Sequence, residues 1–205
     1  MLRTLLRTLA VAASAATLAA PAHAQIAWDG PALMSPTVPS GFSIFLMNPE
    51  GGDLGVLATL RSSAGPVGLG FRAALADQAG SGDLAFAGGV DVAGVLARAV
   101  EGSEIDVAWW SGAGVGVGNE ALVTFPLGVT LGWSGAGGDV VFSPYGGGHV
   151  VLDFLTGGGD NVRFAGVVDL GLDLVLTSGW MVRMGASLGD RESLALGIRL
   201  PGGGS

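Results

Sequence analysis

Val162-Arg163-Phe164-Ala165-Gly166-Val167-Val168-Asp169-Leu170-Gly171-Leu172-Asp173-Leu174-Val175-Leu176 alternates from end to end. Its even positions carry Val, Phe, Gly, Val and four Leu, while Arg163, Asp169 and Asp173 all fall on odd ones. A period of two is the signature of a β-strand. Fifteen residues is well beyond the usual strand of about 5–6 residues, and one side is unbroken apolar surface while the other carries charge. Such a strand meets an oily medium on one face and a polar one on the other, as in a transmembrane β-barrel.

Upstream, the chain opens Met-Leu-Arg-Thr-Leu-Leu-Arg, continues through an Ala-rich apolar stretch from Leu9 to Ala20, and reaches Ala22-His23-Ala24. A charged start, an apolar middle and an Ala-x-Ala site predict a secretory signal peptide over 1–24, cut before Gln25. The apolar run is shorter than the ~20 residues a spanning helix needs, and no later apolar run approaches that length without charges. An exported, strongly apolar chain without a spanning helix has the closed barrel as its way into a membrane.

Composition removes several classes of function. There is no cysteine, hence no disulfide, zinc–thiolate site or thiol nucleophile. All nine basic residues are arginines, two of them in the signal, so the mature chain carries 7 − 17 = −10 charges. That balance argues against nucleic acid or another polyanion as partner. No metal-ligand spacing or cofactor motif occurs.

From Gln25 to Ser40 no period is visible, and Pro31, Pro36 and Pro39 interrupt it; residues 25–40 read as an irregular periplasmic lead-in. The barrel follows over 41–200, with a flexible tail at 201–205. Strand-like runs fall near 41–48, 53–62, 66–76, 83–98, 104–117, 121–134, 139–155, 162–176, 180–188 and 193–200, separated by hairpin-length turns. The expected fold is all-β: an up-and-down antiparallel barrel of about ten strands, with eight as the smaller option.

Within these runs the charges take the face opposite the apolar one. Arg61, Arg72, Arg163, Arg183 and Arg199 stand with Asp91, Asp106, Asp153, Asp169 and Asp173, a composition that predicts an ion-pair network in a narrow lumen. The rest of that face is mainly Gly, Ala, Ser and Thr. Arg98 and Arg191 read as turn residues. If the last strand ends at the periplasm, both termini lie there. Trp109, Trp133, Phe142 and Trp180 then form an outward belt at the periplasmic rim, and Phe86, Phe125, Phe154 and Phe164 one at the outer rim.

Turn lengths set the register. The Thr156–Asp160 turn pairs residues summing to 316, placing Asp153 opposite Arg163. The Thr177-Ser178-Gly179 loop, with Gly179 in the left-handed region, pairs residues to 356 and sets Asp173 opposite Arg183. A last hairpin pairing to 382 would bring Arg199 into the same row.

The segment Phe142-Ser143-Pro144-Tyr145-Gly146-Gly147-Gly148, the Thr-Ser-Gly turn and Leu194-Ala195-Leu196-Gly197-Ile198-Arg199-Leu200 resemble the small outer-membrane β-barrel proteins of the OmpA/OmpX-like and porin-like class. The resemblance covers the C-terminal third closely and the rest by pattern. It implies residence in the outer membrane, the lipid bilayer and the barrel-assembly machinery as partners, and a last strand read by that machinery. Members usually finish on an aromatic; this chain has Leu200 and then Pro-Gly-Gly-Gly-Ser.

Ser143, His149 and Asp153 share a face and invite a catalytic-triad reading. At ~3.3 Å per residue, Ser143 and His149 are roughly 20 Å apart and His149 and Asp153 roughly 13 Å, so that triad fails. Paired acid–base carboxylates are the other enzymatic reading, and five arginines on the same face favour ion pairs instead. Trp110 points inward as lumen packing. The sequence therefore predicts a non-enzymatic, monomeric outer-membrane barrel, structural or permeable to small solutes. A soluble exported barrel carrying an apolar ligand and an outer-membrane lipid hydrolase are the alternatives.

Overall fold

The computed structural model describes residues 28–49, 52–62, 67–78, 83–97, 105–118, 121–156 and 162–201. The expected signal peptide over 1–24, lead-in residues 25–27, tail residues 202–205 and the turn positions Glu50, Arg98, Glu101, Glu104, Glu120 and Asp160 lie outside them. The described residues form eleven strands: β1 Gly41–Asn48, β2 Gly52–Arg61, β3 Val67–Gln78, β4 Leu84–Ala97, β5 Asp106–Val117, β6 Ala121–Gly132, β7 Gly135–Gly137, β8 Val140–Thr156, β9 Val162–Leu176, β10 Met181–Gly189 and β11 Ser193–Arg199. No helix occurs among them.

Every long strand pairs antiparallel with its neighbour in sequence, β6 pairs with β8, and β11 pairs back with β1. The result is a closed ring of ten strands. The three residues of β7 prolong β6 in the same register on β8, beyond a break at Trp133–Ser134. The break faces Pro144, which has no N–H to return to the ladder; Trp133 N still donates to Pro144 O at 3.3 Å.

The stagger of the ring fixes its width. From Ser43 the pairings lead one way through Thr59, Arg72, Gly89 and Gly114 to Thr124. The other way they lead through Arg199, Met181, Val175 and Val141 to Ala136, twelve residues beyond Thr124 on the same hairpin arm. Ten strands with that shear give a tilt of about 40° and a backbone radius of about 10 Å. Eight strands give an interior that side chains alone can fill, so ten leave space over.

That space holds the lead-in. The sequence reading put residues 25–40 outside the barrel as a periplasmic segment; the structure corrects this for 28–36, which are buried inside the ring. Trp28, Leu33 and Met34 join inward Phe45, Met47, Leu57 and Trp110, and the alanines of β3 and β4, in one apolar cluster. The small inner-face residues make room: a Cβ on Gly112 would lie 2.8 Å from Trp28 Cζ2, and one on Gly185 2.8 Å from Leu33 Cδ2. Lack of period marked this segment as irregular, which it is; period says nothing about what such a segment lies against.

Two hairpins test the register arithmetic. β8 and β9 pair to 316, with Asp153 opposite Arg163, and β9 and β10 pair to 356, with Asp173 opposite Arg183. Gly179 has φ +84° and its N–H donates to Leu176 O at 2.9 Å. The last hairpin departs from expectation: β10 and β11 pair to 380, not 382, so Arg183 faces Gly197 and Arg199 faces Met181. The reason lies in the turn. Leu188 and Gly189 stay paired with β9, and Asp190 binds Gly166 through both its N–H and its carboxylate. These contacts hold the turn on β9 and shift the start of β11, and the loop carries Arg191 over the rim into the lumen.

Candidate functional site

The outer wall is apolar all round. Among the described residues, thirty-eight large hydrophobic ones are exposed, including Ile44, Leu60, Phe71, Val90, Val115, Leu131, Val168 and Ile198, which takes in strands from the whole circuit. In a soluble protein a contiguous apolar patch seldom exceeds a few hundred Å². Of the expected belt residues, Trp133, Phe142, Trp180, Phe86, Phe125, Phe154 and Phe164 are exposed on this wall and Trp109 is half-buried. Phe125 and Phe154 meet edge-to-face at 5.9 Å. Over β1, β2, β9, β10 and β11 the wall has a shallow apolar hollow of about 600 Å³, lined by Leu46, Leu54, Leu170, Leu172, Met184 and Leu196.

The lumen is the chemically rich side, and its charges form separate contacts at successive heights. Near the end where β1 begins and β11 stops, Arg199 Nη1 donates to Ser40 O at 2.9 Å. Arg61 pairs with Asp91. Arg183 binds Asp173 through two nitrogens, Nε–Oδ1 at 2.9 Å and Nη2–Oδ2 at 3.2 Å, and its Nη2 also donates to Leu33 O at 2.8 Å. Higher up, Arg72 Nη2 donates to Ala32 O at 3.1 Å and the guanidinium lies 3.6 Å from the centre of the Trp28 rings. Asp169 takes Ala32 N–H and the Ser187 hydroxyl on Oδ1, at 3.2 and 3.1 Å, and His149 Nδ1 on Oδ2 at 2.6 Å. At the hairpin end Arg191 holds Asp29 at 3.0 Å, Trp28 O at 3.2 Å, and Asp153.

Of the ten expected lumen charges, four therefore form two mutual pairs, Arg61–Asp91 and Arg183–Asp173. Arg72 and Arg199 bind main-chain oxygens of the lead-in. Asp153 lies across from Arg163 in the sheet, yet its ion pair is with Arg191; Arg163 is half-buried. Asp106 sits half-buried opposite Gly132 at the end where β5 begins.

Arg191 and Asp29 escaped the sequence reading. Arg191 is only 4 % exposed and Asp29 3 %, although both looked like turn or linker residues. The available signal was the excess of small inward residues, which demand a filling. Trp110 is fully buried as lumen packing: it stacks on Trp28 at 5.4 Å and 15°, and its ring lies 5.1 Å from His149. His149 finds its partner across the sheet, on β9. In the His149–Asp169–Ser187 chain the carboxylate stands between the other two, so the serine has no histidine to take its proton. Ser143 contacts Ser134 at 2.8 Å. No cluster of metal-ligand residues occurs among the described residues.

No protein-family model and no curated protein sequence matches this chain. Among solved structures it is similar to one described as "KdgM porin", at 9 % identity and a TM-score of 0.40, covering 77 % of this chain and 96 % of that one. The architecture rests on this chain's own pairings: an all-β, antiparallel, closed barrel of ten strands.

Proposed function

We propose that this chain is an outer-membrane β-barrel protein that works as a structural barrel, with its charged lumen closed by residues 28–36 in the described form. The carrying observation is the exposed apolar wall around the ring, combined with charges confined to the inside. Hydrocarbon in contact with the wall removes that apolar area from water, and a closed ring leaves no unpaired strand edge in lipid. The two aromatic groups on the wall lie toward opposite ends of the strands, where headgroups meet the hydrocarbon. An interior filled by its own chain and lined with ion pairs favours this reading over a carrier of apolar ligands. The buried Ser187 and Ser143, each without a histidine contact among the described residues, give no support to hydrolysis.

Fractionation tests the reading. The protein should sediment with membranes, require detergent for extraction, and migrate faster unboiled than boiled on a denaturing gel. Recovery in the aqueous fraction without detergent would favour the soluble carrier.

A further inference from the structure

A small polar cavity lies between the lead-in and strands β1 to β4 and β10, near the rim where β1 starts. Its volume is about 20 Å³, and Ser43, Thr59, Arg61, Arg72, Asp91 and Arg183 bring polar groups to its wall. A single water needs about 10–15 Å³, so the space takes one species of water or halide size and is too small for a phosphate.

Strand register builds this wall. Gly41, Arg61, Gly70 and Asp91 form one inward row, and Ser43, Thr59 and Arg72 form the next. A Cβ on Gly70 would lie 2.6 Å from Arg61 Nη2, so glycine at that position lets Arg61 reach over β3 to its partner Asp91. That ion pair occupies Nη2 of the arginine. Nη1 of the same guanidinium is buried and has no hydrogen-bond acceptor among the described residues. A charged donor shut away from water requires one.

The composition of the wall says what kind of acceptor fits. Three guanidinium groups face the cavity against the one carboxylate of Asp91, which Arg61 already engages; Asp173 serves Arg183. Guanidinium groups donate and never accept, and the hydroxyls of Ser43 and Thr59 can turn to donate as well. A water molecule here would have to find acceptors for its own two hydrogens, whereas a small anion needs donors only. It also offsets positive charge in a lumen where water screens little.

We propose that the cavity is a binding site for one halide-sized inorganic anion, which accepts from Arg61 Nη1 and ties the lead-in end of the lumen to the strands around it. The site lies inside the wall whatever medium the barrel meets outside, so it stands apart from the membrane reading.

Thermal unfolding in a non-ionic detergent tests it, with sodium chloride replacing sodium gluconate from 0 to about 0.1 M so that ionic strength and screening stay constant. Gluconate is too large for the cavity. Above the dissociation constant each tenfold rise in chloride should raise the midpoint by about 3–5 °C, and bromide should act in the same way. In Arg61→Gln combined with Asp91→Asn, which removes both charges of the pair together, the chloride-dependent rise should vanish while the heat-modifiable band persists. Glu192→Gln, in the exposed β10–β11 turn, should keep the full rise. A midpoint that does not respond to chloride overturns the proposal and leaves water as the occupant. A rise that survives in the double variant overturns it as well, by placing the anion elsewhere. Should the double variant lose the heat-modifiable band, Thr59→Val takes its place: it removes one donor from the wall, keeps every charge, and should weaken chloride at least fivefold, an unchanged response counting against the site.

Discussion

Replacing Asp173 by alanine should destabilise the barrel far more than the same change at Asp190. Asp173 is 1 % exposed and receives two donors from Arg183, which is itself 5 % exposed. Without the carboxylate, the guanidinium keeps Leu33 O as a partner but loses its counter-charge inside a water-poor lumen. Breaking a buried pair from one side costs about 3–5 kcal/mol. Asp190 lies exposed in the β10–β11 turn and its carboxylate accepts one main-chain hydrogen bond, from Gly166 at 2.8 Å, worth about 1 kcal/mol. For a chain of this size each kcal/mol moves the midpoint by about 2–4 °C, so Asp173→Ala should lower Tm by roughly 10 °C and Asp190→Ala by about 3 °C. The assay is thermal unfolding in one detergent at one scan rate, since barrel unfolding is often under kinetic control. Asp173→Leu combined with Arg183→Met should recover part of the loss, because removing both charges leaves nothing unpaired. Equal shifts from the two alanine variants, or a double variant worse than Asp173→Ala, would refute the argument.

The filled lumen leads to three further outcomes. Deleting residues 28–36 should give stepwise conductance in planar bilayers where the intact chain gives little; a flat trace from a heat-modifiable variant would mean that the inward Arg and Asp residues seal the ring unaided. Gly114→Val should displace Trp28, because its Cβ alone would lie 2.8 Å from Trp28 Nε1; acrylamide quenching of the tryptophan fluorescence should rise, and unchanged quenching would place the indole elsewhere. Trp28→Ala removes a fully buried ring that Arg72 and Trp110 enclose. It should cost about 3–5 kcal/mol if the segment unfolds together with the barrel, read as a Tm loss close to that of Asp173→Ala. A loss below about 2 °C, less than a single kcal/mol would give, would show instead that the segment leaves the lumen before the barrel melts.

Legibility varied with the kind of order each part possesses. The strands could be read because each repeats one face every second residue, and two registers followed because loop length and parity leave few choices, as at Gly179. The β10–β11 register was missed because its turn is held by contacts to Gly166 and by Arg191, whose partners Asp29 and Asp153 are far away in sequence. The ten inward charges were visible as a set, but their pairing was not. Strand alternation says that Asp153 faces the lumen and says nothing of which arginine arrives. The lead-in was the largest gap, since an irregular peptide held through its backbone by arginines leaves hardly any pattern in its own residues. Its trace is on the wall, in glycines such as Gly112 and Gly114 that stand where Trp28 needs room.

The seam of the ring imposes an order on assembly. β1 and β11 are paired at six positions, against fifteen for β8 and β9, so this is the short closure on which the circle depends. β1 is also the strand to which the lead-in is joined. A chain that closes its wall before the lead-in is inside must afterwards thread a free end through a completed hoop; one that lays the lead-in down first captures it as the seam zips. The second route needs no threading, and it makes the filled lumen a template on which the last strand finds its place. Once the hoop is shut, the segment can leave only lengthwise, past each arginine in turn.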